Sequence, residues 1–315
     1  MKTPRLNSAT LPVDIIIPTY KRGNRAYEVA LSVLEQCSIQ DTITIVAQGT
    51  DTFSSPENKI ISIIHLPHAN LPNARNRGIL ATKNPLILFL DDDVIIEPDL
   101  LNAHRGCYED IKTGAVAGFI DDPLFSQQNT IPSYYDPATG KLVQNFSCNK
   151  SQFTISMMGA NMSFRRDVFL KTGLFDTRYN RNALWEEIDM AFRLQNAGYR
   201  IWFCSDAKVK HMRAEEGGCR SDMSKSYIFY LFSNTTYFLC KFSPYKYFGK
   251  IFNYWKYRLE YVSRKTSGIQ NKITHHFPAV LSGLAGVVSG FLKFLLYGKR
   301  YRLPDSVGSA SEVSP

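Results

Sequence analysis

The run NPLILFLDDDVIIEPDLL, residues 84–101, contains an apolar pentapeptide followed directly by three aspartates. An apolar run of this length beside turn residues is typical of a strand buried on both faces. Adjacent carboxylates repel one another and resist losing water, so Asp91, Asp92 and Asp93 require cations, hydrogen-bond donors or solvent. If the extended backbone continues, Asp91 and Asp93 share one face, which suits Mg²⁺ or Mn²⁺. A solvated acidic turn is the alternative interpretation.

The segments around this run alternate between apolar strands and helices. Strands are predicted at residues 13–18, 42–49, 59–66, 86–90 and 115–120, and helices at residues 24–37, 71–83 and 97–114. Pro18 is expected to end the first strand, and Gly114 the third helix. The alternation predicts an α/β fold whose mostly parallel sheet is covered on both faces. Ligands bind beyond the carboxyl ends of such strands, where the three aspartates, the loop at residues 19–22 and Gln48 lie.

The second half of the chain has a less regular pattern. A long loop is predicted at residues 121–156, and loops of this length are often functional. A strand and a helix follow, then a helix that Gly198 ends, a further strand and a polar loop at residues 207–221. We therefore predict an N-terminal extension at residues 1–12, an α/β domain at residues 13–220, a helical region at residues 221–302 and a disordered tail at residues 303–315.

Charge and cysteine content indicate the environment of the protein. The net charge is +9, but residues 241–302 alone carry 12 Lys and Arg and one acid, which leaves −2 for the rest of the chain. The six cysteines are scattered without a CxxC pair, which favours reduced thiols in a cytoplasmic protein. The first residues, MKTPRLNSATLP, lack the apolar core of a secretion signal.

The basic region interleaves aromatic residues with Lys and Arg. At helical spacing an apolar stripe is formed by Phe248, Phe252, Trp255, Leu259 and Val262. A second apolar run, residues 277–292, is shorter than the roughly 20 residues that a membrane-spanning helix needs. We predict that this region lies on an anionic membrane surface. A helical lid packed on the α/β domain is the alternative, and nucleic acid is not an expected partner because no nucleic-acid-binding motif is present.

Short motifs occur in a fixed order along the α/β domain. They are Pro18-Thr19-Tyr20, Ala74-Arg75-Asn76-x-Gly78, Asp91-x-Asp93, GANMSFRR at residues 159–166, GLFD at residues 173–176, Glu186-Glu187-x-Asp189 ahead of RLQNAGYRI, and His211 after the next strand. With this order and spacing the chain resembles family 2 glycosyltransferases of the bacterial surface-polysaccharide type. The resemblance extends over residues 13–220 and implies the GT-A fold, a Rossmann-like nucleotide-sugar-binding fold, for the catalytic domain.

The resemblance implies a role for each motif. The metal, Mn²⁺ or Mg²⁺, would be bound by Asp93 and His211, with Asp91 reaching either the metal or the ribose of the donor. The nucleotide-sugar site would comprise Pro18, Thr19, Tyr20, Arg22, Gln48, Arg75, Asp91 and Asp92. The general base would be Glu187, or failing that Glu186. The acceptor side would comprise Gly159, Ala160, Asn161, Trp185 and Asp189, although Asp189 is also a candidate structural residue.

The implied activity is an inverting transfer of a sugar from a UDP- or dTDP-linked donor to a hydroxyl of a glycan or lipid-linked glycan, at the inner face of the cell membrane. One departure concerns the second strand, where the family commonly has DDGS and this chain has AQGT at residues 47–50. Gln48 or Asp51 could contact the base instead, so the nucleotide stays open. The alternatives are a sugar nucleotidyltransferase on a related fold and a non-catalytic glycan-binding relative.

Overall fold

A mixed sheet of nine strands forms the centre of the protein in the computed structural model, which describes residues 11–49, 60–122, 129–136, 141–181, 183–213, 224–242 and 272–299. The strands of this sheet are β1 (Val13–Tyr20), β2 (Thr42–Gln48), β3 (Ile61–Leu66), β4 (Leu86–Leu90), β5 (Val94–Ile96), β6 (Thr113–Asp121), β9 (Gln152–Thr154), β10 (Asn161–Arg165) and β11 (Arg200–His211). Strands β7 (Tyr134–Asp136) and β8 (Lys141–Val143) form a separate hairpin. The order is β3-β2-β1-β4-β10-β6-β11-β5, and β9 pairs with β11.

The directions of the strands bring several chain segments to one edge of the sheet. Strands β3, β2, β1 and β4 are parallel, so β1, β2 and β4 end at the same edge. Strand β10 is antiparallel to β4 and β6, and its first residue, Asn161, pairs with the last residue of β4, Leu90. Gly159 therefore lies beside the aspartates that follow β4. Strand β5 pairs with the end of β11 and places Val94 opposite His211.

Helices and loops cover both faces of the sheet, as predicted. Ile15 and Ile17 belong to one hydrophobic cluster and Ile16 to another, because successive side chains of β1 point to opposite faces. The helices of the α/β domain are α1 (Gly23–Leu34), α2 (Leu71–Ala81), α3 (Leu100–Gly106), α4 (Val168–Thr172) and α5 (Glu186–Asn196). The side chain of Asn70 accepts a hydrogen bond from Asn73 N–H and caps α2.

Two further helices, α6 (Lys225–Phe242) and α7 (Lys272–Tyr297), pack closely against each other. A Cβ atom on Gly286 or Gly290 would lie 2.3 Å from the carbonyl oxygen of Phe229 or Ser233 in α6. The absence of side chains at these glycines therefore allows the two backbones to approach. No helix within the part of the chain that the structure describes is long and apolar enough to cross a membrane.

Several sequence predictions differ from the structure in detail. Pro18 does not end β1 but lies inside it, where pairing with β4 has already ended at Ile16 and only β2 is still paired. The third helix ends at Gly106, and Gly114 lies within β6, where a Cβ would collide with Tyr199. Residues 207–211, predicted as loop, are strand, and the predicted long loop contains β7, β8 and β9.

Some predictions fall outside the described residues. They are the N-terminal extension except residues 11 and 12, Asp51, residues 214–221 of the polar loop, the aromatic stripe between Phe248 and Val262, and the tail at residues 303–315.

Candidate active site

Two of the three aspartates after β4 are paired with one arginine. Arg22 Nη1 lies 3.0 Å from Asp92 Oδ1 and 3.1 Å from Asp93 Oδ2. The hydroxyl of Thr19 donates to Asp92 Oδ2 at 2.7 Å. Burial raises the pKa of Asp92 to about 6, and the charge of Asp91 acts in the same direction, against the hydrogen bond from Thr19 and the charge of Arg22. Asp92 therefore connects the loop after β1 to the end of β4.

Asp91, Asp93 and His211 form a group that fits a divalent cation. One potential ligand atom from each of the three residues lies within 4.8 Å of the others. Two carboxylates and an imidazole are a donor set that Mn²⁺ accepts, and Mg²⁺ also prefers the oxygens. Pairing of β5 with β11 places His211 beside Asp93, with 3.1 Å between His211 Nε2 and Asp93 Oδ1. The structure thus brings together the three residues for which metal binding is predicted.

Asp122 lies behind His211 and was missed by sequence reasoning. Its Oδ2 is 2.7 Å from His211 Nδ1, and its Oδ1 accepts a hydrogen bond from Arg213 Nε at 2.5 Å. Burial acts to lower the pKa of His211, but the hydrogen bonds to Asp93 and Asp122 raise it overall. An aspartate at a strand end, the signal used for Asp91 and Asp93, could have identified this residue.

A second acidic group surrounds Arg75. The guanidinium of Arg75 is buried beside the rings of Phe89 and Phe175, 5.9 and 5.6 Å from their centres. It contacts Glu186, and its Nη2 lies 3.2 Å from Glu187 Oε1. Arg75 lines the cavity, but its charge is shared between two carboxylates. The prediction of Arg75 as a nucleotide ligand therefore has no support from its contacts.

The two glutamates differ in access. Glu186 has an exposed fraction of 0%, whereas the side chain of Glu187 is 26% exposed. Glu187 Oε1 also accepts the backbone N–H of Gly159 at 2.9 Å. Burial raises the pKa of Glu187 and the charge of Asp91 raises it further, whereas Arg75 lowers it. Glu187 has the access that a base needs, while the predicted fallback, Glu186, is enclosed by its contact with Arg75.

These groups meet in a cavity of about 410 Å³. Its lining residues are Pro18, Thr19, Tyr20, Arg22, Gln48, Leu71, Arg75, Asp91, Asp92, Asp93, Met158, Ala183, Leu184, Glu186, Glu187, Arg213 and Tyr227. Arg213 and Tyr227 were not predicted. Arg213 follows His211 by two residues, which was an available signal, whereas Tyr227 comes from α6 and nothing in the sequence relates it to the site.

None of the five predicted acceptor-side residues is among the residues that line this cavity. Asn161 is fully buried, and its side chain bonds His104 and the carbonyl oxygens of Phe119 and Ala207. Ala160 is equally buried, and Trp185 stacks on Phe238 with 4.5 Å between ring centres. Gly159 nevertheless contributes to the site, because its N–H donates a hydrogen bond to Glu187 Oε1.

Asp189 and Gln48 also have internal partners. Asp189 is buried and bonds Tyr179, Arg193 and Lys241, which corrects its assignment to the acceptor side. Gln48 lines the cavity, but its amide nitrogen donates to Thr19 O at 3.2 Å and its oxygen accepts Asn70 N–H at 2.7 Å. Gln48 therefore joins the ends of β1 and β2 to the start of α2.

Comparison with known proteins identifies the family. The model of the family described as "Glycosyl transferase family 2" matches residues 14–173. The chain belongs to glycosyl transferase family 2. The predictions of this family and of a glycosyltransferase domain are thereby confirmed, and the match gives no support to the sugar nucleotidyltransferase alternative.

Curated proteins resemble the chain at low identity. The O-antigen chain rhamnosyltransferase WbaN of Salmonella anatum is 25% identical over 62% of this chain and 65% of its own length. The glucosyl-dolichyl phosphate glucuronosyltransferase of Haloferax volcanii is 23% identical over 64% of this chain and 69% of its own length. The chain thus spans about two thirds of these relatives.

Solved structures confirm the GT-A fold of this family member. GalNAc-T7, crystallised with UDP, GalNAc and Mn²⁺, superposes with a TM-score of 0.54 at 13% identity, over 76% of this chain and 53% of that protein. The mannosyltransferase PcManGT from Pyrobaculum calidifontis, in complex with GDP-Man and Mn²⁺, gives a TM-score of 0.52 at 13% identity, over 93% of this chain and 91% of that protein.

Proposed function

We propose that the protein is an inverting, metal-dependent glycosyltransferase. It moves a sugar from a nucleoside-diphosphate sugar, UDP- or dTDP-linked, to a hydroxyl of a glycan or lipid-linked glycan. The observation that carries this proposal is that one cavity contains both the aspartates of the cation group and a partly exposed glutamate, Glu187. A transfer of this kind needs stabilisation of the leaving diphosphate and removal of a proton from the acceptor.

Charge supports the need for a metal. The cavity is lined by five carboxylates and only three arginines. Arg22 is already paired with Asp92 and Asp93, Arg75 with two glutamates, and Arg213 with Asp122, outside the lining set. A diphosphate would add negative charge to a lining in which carboxylates already outnumber arginines and each arginine has a carboxylate partner, which is unfavourable at low dielectric. Bound Mn²⁺ or Mg²⁺ would supply that positive charge and act as a Lewis acid toward the leaving group.

Glu187 is the proposed general base. Its raised pKa keeps it more basic than an ordinary glutamate, and its hydrogen bonds from Gly159 and Arg75 fix one carboxylate oxygen. The exposed remainder of the side chain faces the cavity, where an acceptor hydroxyl would approach. A single base and a direct displacement on the sugar carbon imply inversion of configuration.

We further propose that α7 places the protein on the inner face of an anionic membrane. One side of α7 packs on α6, and the other exposes a stripe of Leu281, Leu284, Val288, Phe291, Leu292 and Leu295. The surplus of Lys and Arg at residues 241–302 matches the charge of anionic headgroups. A lipid-linked acceptor would be consistent with this placement.

Thermal stabilisation tests the donor site. The protein is heated with UDP, dTDP, GDP or CDP, each with and without Mn²⁺, beside the variants Asp93→Ala and Asp167→Ala, an exposed control far from the cavity. We expect one nucleotide to raise Tm only with Mn²⁺, in the wild type and in Asp167→Ala but not in Asp93→Ala. A nucleotide shift that is the same without metal would contradict the proposed metal dependence.

Vesicle sedimentation tests the membrane surface. We expect the protein to sediment with vesicles that contain phosphatidylglycerol and less with pure phosphatidylcholine. The double variant Leu284→Glu and Val288→Glu should abolish sedimentation, whereas Leu170→Glu, at an even more exposed leucine of the α/β domain, should not. Equal binding by both variants would contradict the role of α7.

A further inference from the structure

Asp122 connects two residues that face the candidate donor site. It directly follows β6, is fully buried, and uses both carboxylate oxygens. Oδ2 is 2.7 Å from His211 Nδ1, and Oδ1 accepts from Arg213 Nε at 2.5 Å. His211 in turn contacts Asp93, and Arg213 lines the cavity. A single carboxylate is therefore shared by a cation-group residue and a cavity arginine.

We propose that Asp122 is a positioning residue for the metal and the donor diphosphate. It accepts the Nδ1 proton of His211, so that Nε2, which lies beside Asp93, is the ring nitrogen that would bind the metal in place of its own proton. With its other oxygen it holds Nε of Arg213 at the cavity wall, and the remaining guanidinium nitrogens would be available to the diphosphate. This inference rests on the proposed metal-dependent transfer and assigns to it a residue outside the set of direct ligands.

The backbone geometry makes this arrangement rigid. Strands β6 and β11 are parallel here, and Ile120 pairs with Val209 and Asp121 with Lys210. Asp122 and His211 are the next residues in this register, so strand pairing itself sets their separation. The other side of β11 pairs with β5, which follows Asp93 directly. The carboxylate, the imidazole and the aspartate are thus fixed by three adjacent strands.

The physical reason for such a partner is the tautomer of the imidazole. A neutral histidine carries its proton on one nitrogen, and only the other nitrogen can bind a metal. A carboxylate at Nδ1 selects the form with a bare Nε2 and increases its basicity. Without Asp122 the ring would be free to rotate or to protonate Nε2, and Arg213 would lose its Nε anchor.

Mn²⁺ titration followed by electron paramagnetic resonance tests the inference without requiring turnover. We compare the wild type with Asp122→Ala, with Arg213→Met and with Asp14→Ala, which removes a buried carboxylate paired with Arg166 away from the cavity. We expect Asp122→Ala to weaken Mn²⁺ binding about 10–100-fold. Arg213→Met and Asp14→Ala should keep the wild-type Mn²⁺ affinity, while Arg213→Met weakens binding of UDP in the presence of Mn²⁺.

The outcomes separate this inference from the proposed function. If the wild type binds no Mn²⁺ with or without nucleotide, the metal-dependent function itself fails. If the wild type binds Mn²⁺ and Asp122→Ala binds it equally well, only the role of Asp122 is overturned. Equal weakening by Asp14→Ala would assign the loss to general destabilisation and would also overturn it.

A measurement on the wild type covers the case in which Asp122→Ala does not fold. Nitrogen resonances of ¹⁵N-labelled histidine, recorded with saturating Mg²⁺ and nucleotide and assigned with His211→Gln, report which ring nitrogen carries the proton when the cation is bound. We expect the proton of His211 on Nδ1. A proton on Nε2 would overturn the proposal.

Discussion

Replacing Gly159 by alanine should disable the candidate base while leaving the metal group intact. A Cβ at this position would lie 1.8 Å from Arg75 Nη2 and 2.6 Å from Glu187 Oε1. Ordinary contact begins at 3.4 Å, so the guanidinium would have to retreat by about 1.6 Å. Arg75 is buried against two phenylalanine rings and contacts Glu186, which leaves it little room to move.

The expected loss follows from the size of this displacement. A misplacement of about 1 Å in a catalytic constellation can reduce the rate about 100-fold. We therefore expect kcat/KM of Gly159→Ala to fall about 100-fold, while the Mn²⁺-dependent stabilisation by nucleotide stays close to that of the wild type.

The assay is release of nucleoside diphosphate from the donor that the nucleotide screen selects, with acceptor present. Gly106→Ala is the matched control, because a Cβ there meets no atom within 4 Å. It should have wild-type activity. A Gly159→Ala enzyme with wild-type kcat/KM would refute the reasoning, since it would mean that the contact between Arg75 and Glu187 is not needed.

Three further predictions concern the base and the attachment of α6. Glu187→Gln should lower kcat about 10²–10⁴-fold while nucleotide still raises Tm, and retained activity would exclude Glu187 as the base. Burial raises the pKa of Glu187 above the ordinary value of 4.5, and only the ionised carboxylate can accept a proton. We therefore expect kcat/KM to fall as the pH drops through this raised pKa, and Glu187→Gln should not show that fall. Lys241→Met leaves Asp176 and Asp189 buried without the cation that they share. Urea titration should therefore show a free energy of unfolding lower by about 3–5 kcal/mol. The control Lys225→Met, at an exposed lysine of the same helix, should change it by less than about 0.5 kcal/mol.

The lowered pKa of Asp176 predicts that the stability contributed by this attachment of α6 depends on pH in the acidic range. Burial acts to raise this pKa, but Lys241 and Arg178 hold it down to about 2. A lowered carboxylate pKa contributes stability above the ordinary value of 3.8 that is lost as the pH falls toward 2. The sensitivity to acid in this window should therefore be smaller in an Asp176→Asn variant.

Local patterns predicted most of the strands and helices because they depend on neighbours in the sequence. The apolar run before Asp91 corresponds to β4 residue for residue, and the helix predicted at residues 24–37 corresponds to α1, which ends three residues earlier. The antiparallel position of β10 between β4 and β6 was not predicted, since pairing between segments some 70 residues apart leaves no periodic mark. The prediction that Pro18 ends β1 failed for the same reason. Whether a proline can lie within a strand depends on which neighbouring strand would need its missing N–H, and that pairing is not visible in the sequence.

The site was predictable where a residue's role follows from its own chemistry. Aspartate and histidine side chains commonly bind metal ions, and the structure brings Asp91, Asp93 and His211 together. Arg75 was predicted as a nucleotide ligand because its charge suits phosphate, but sequence reasoning did not foresee its partners, two glutamates from α5 that the fold brings to it. Asn161 was likewise assigned to the acceptor side, although it is a buried side chain with three internal partners.

The helical region is also part of the site rather than an appendage to it. Helix α6 supplies Tyr227 to the cavity wall and Lys241 to the buried pair with Asp189 on α5, the helix whose second residue is the candidate base, Glu187. Helix α7 packs on α6 through glycines that leave no space between the backbones. A membrane surface bound by the apolar stripe of α7 would therefore be linked to the cavity through packed helices, and the cavity would keep one orientation relative to the headgroups. Such a fixed orientation would favour an acceptor that is itself anchored in the membrane, because the reacting hydroxyl would approach Glu187 from a restricted direction.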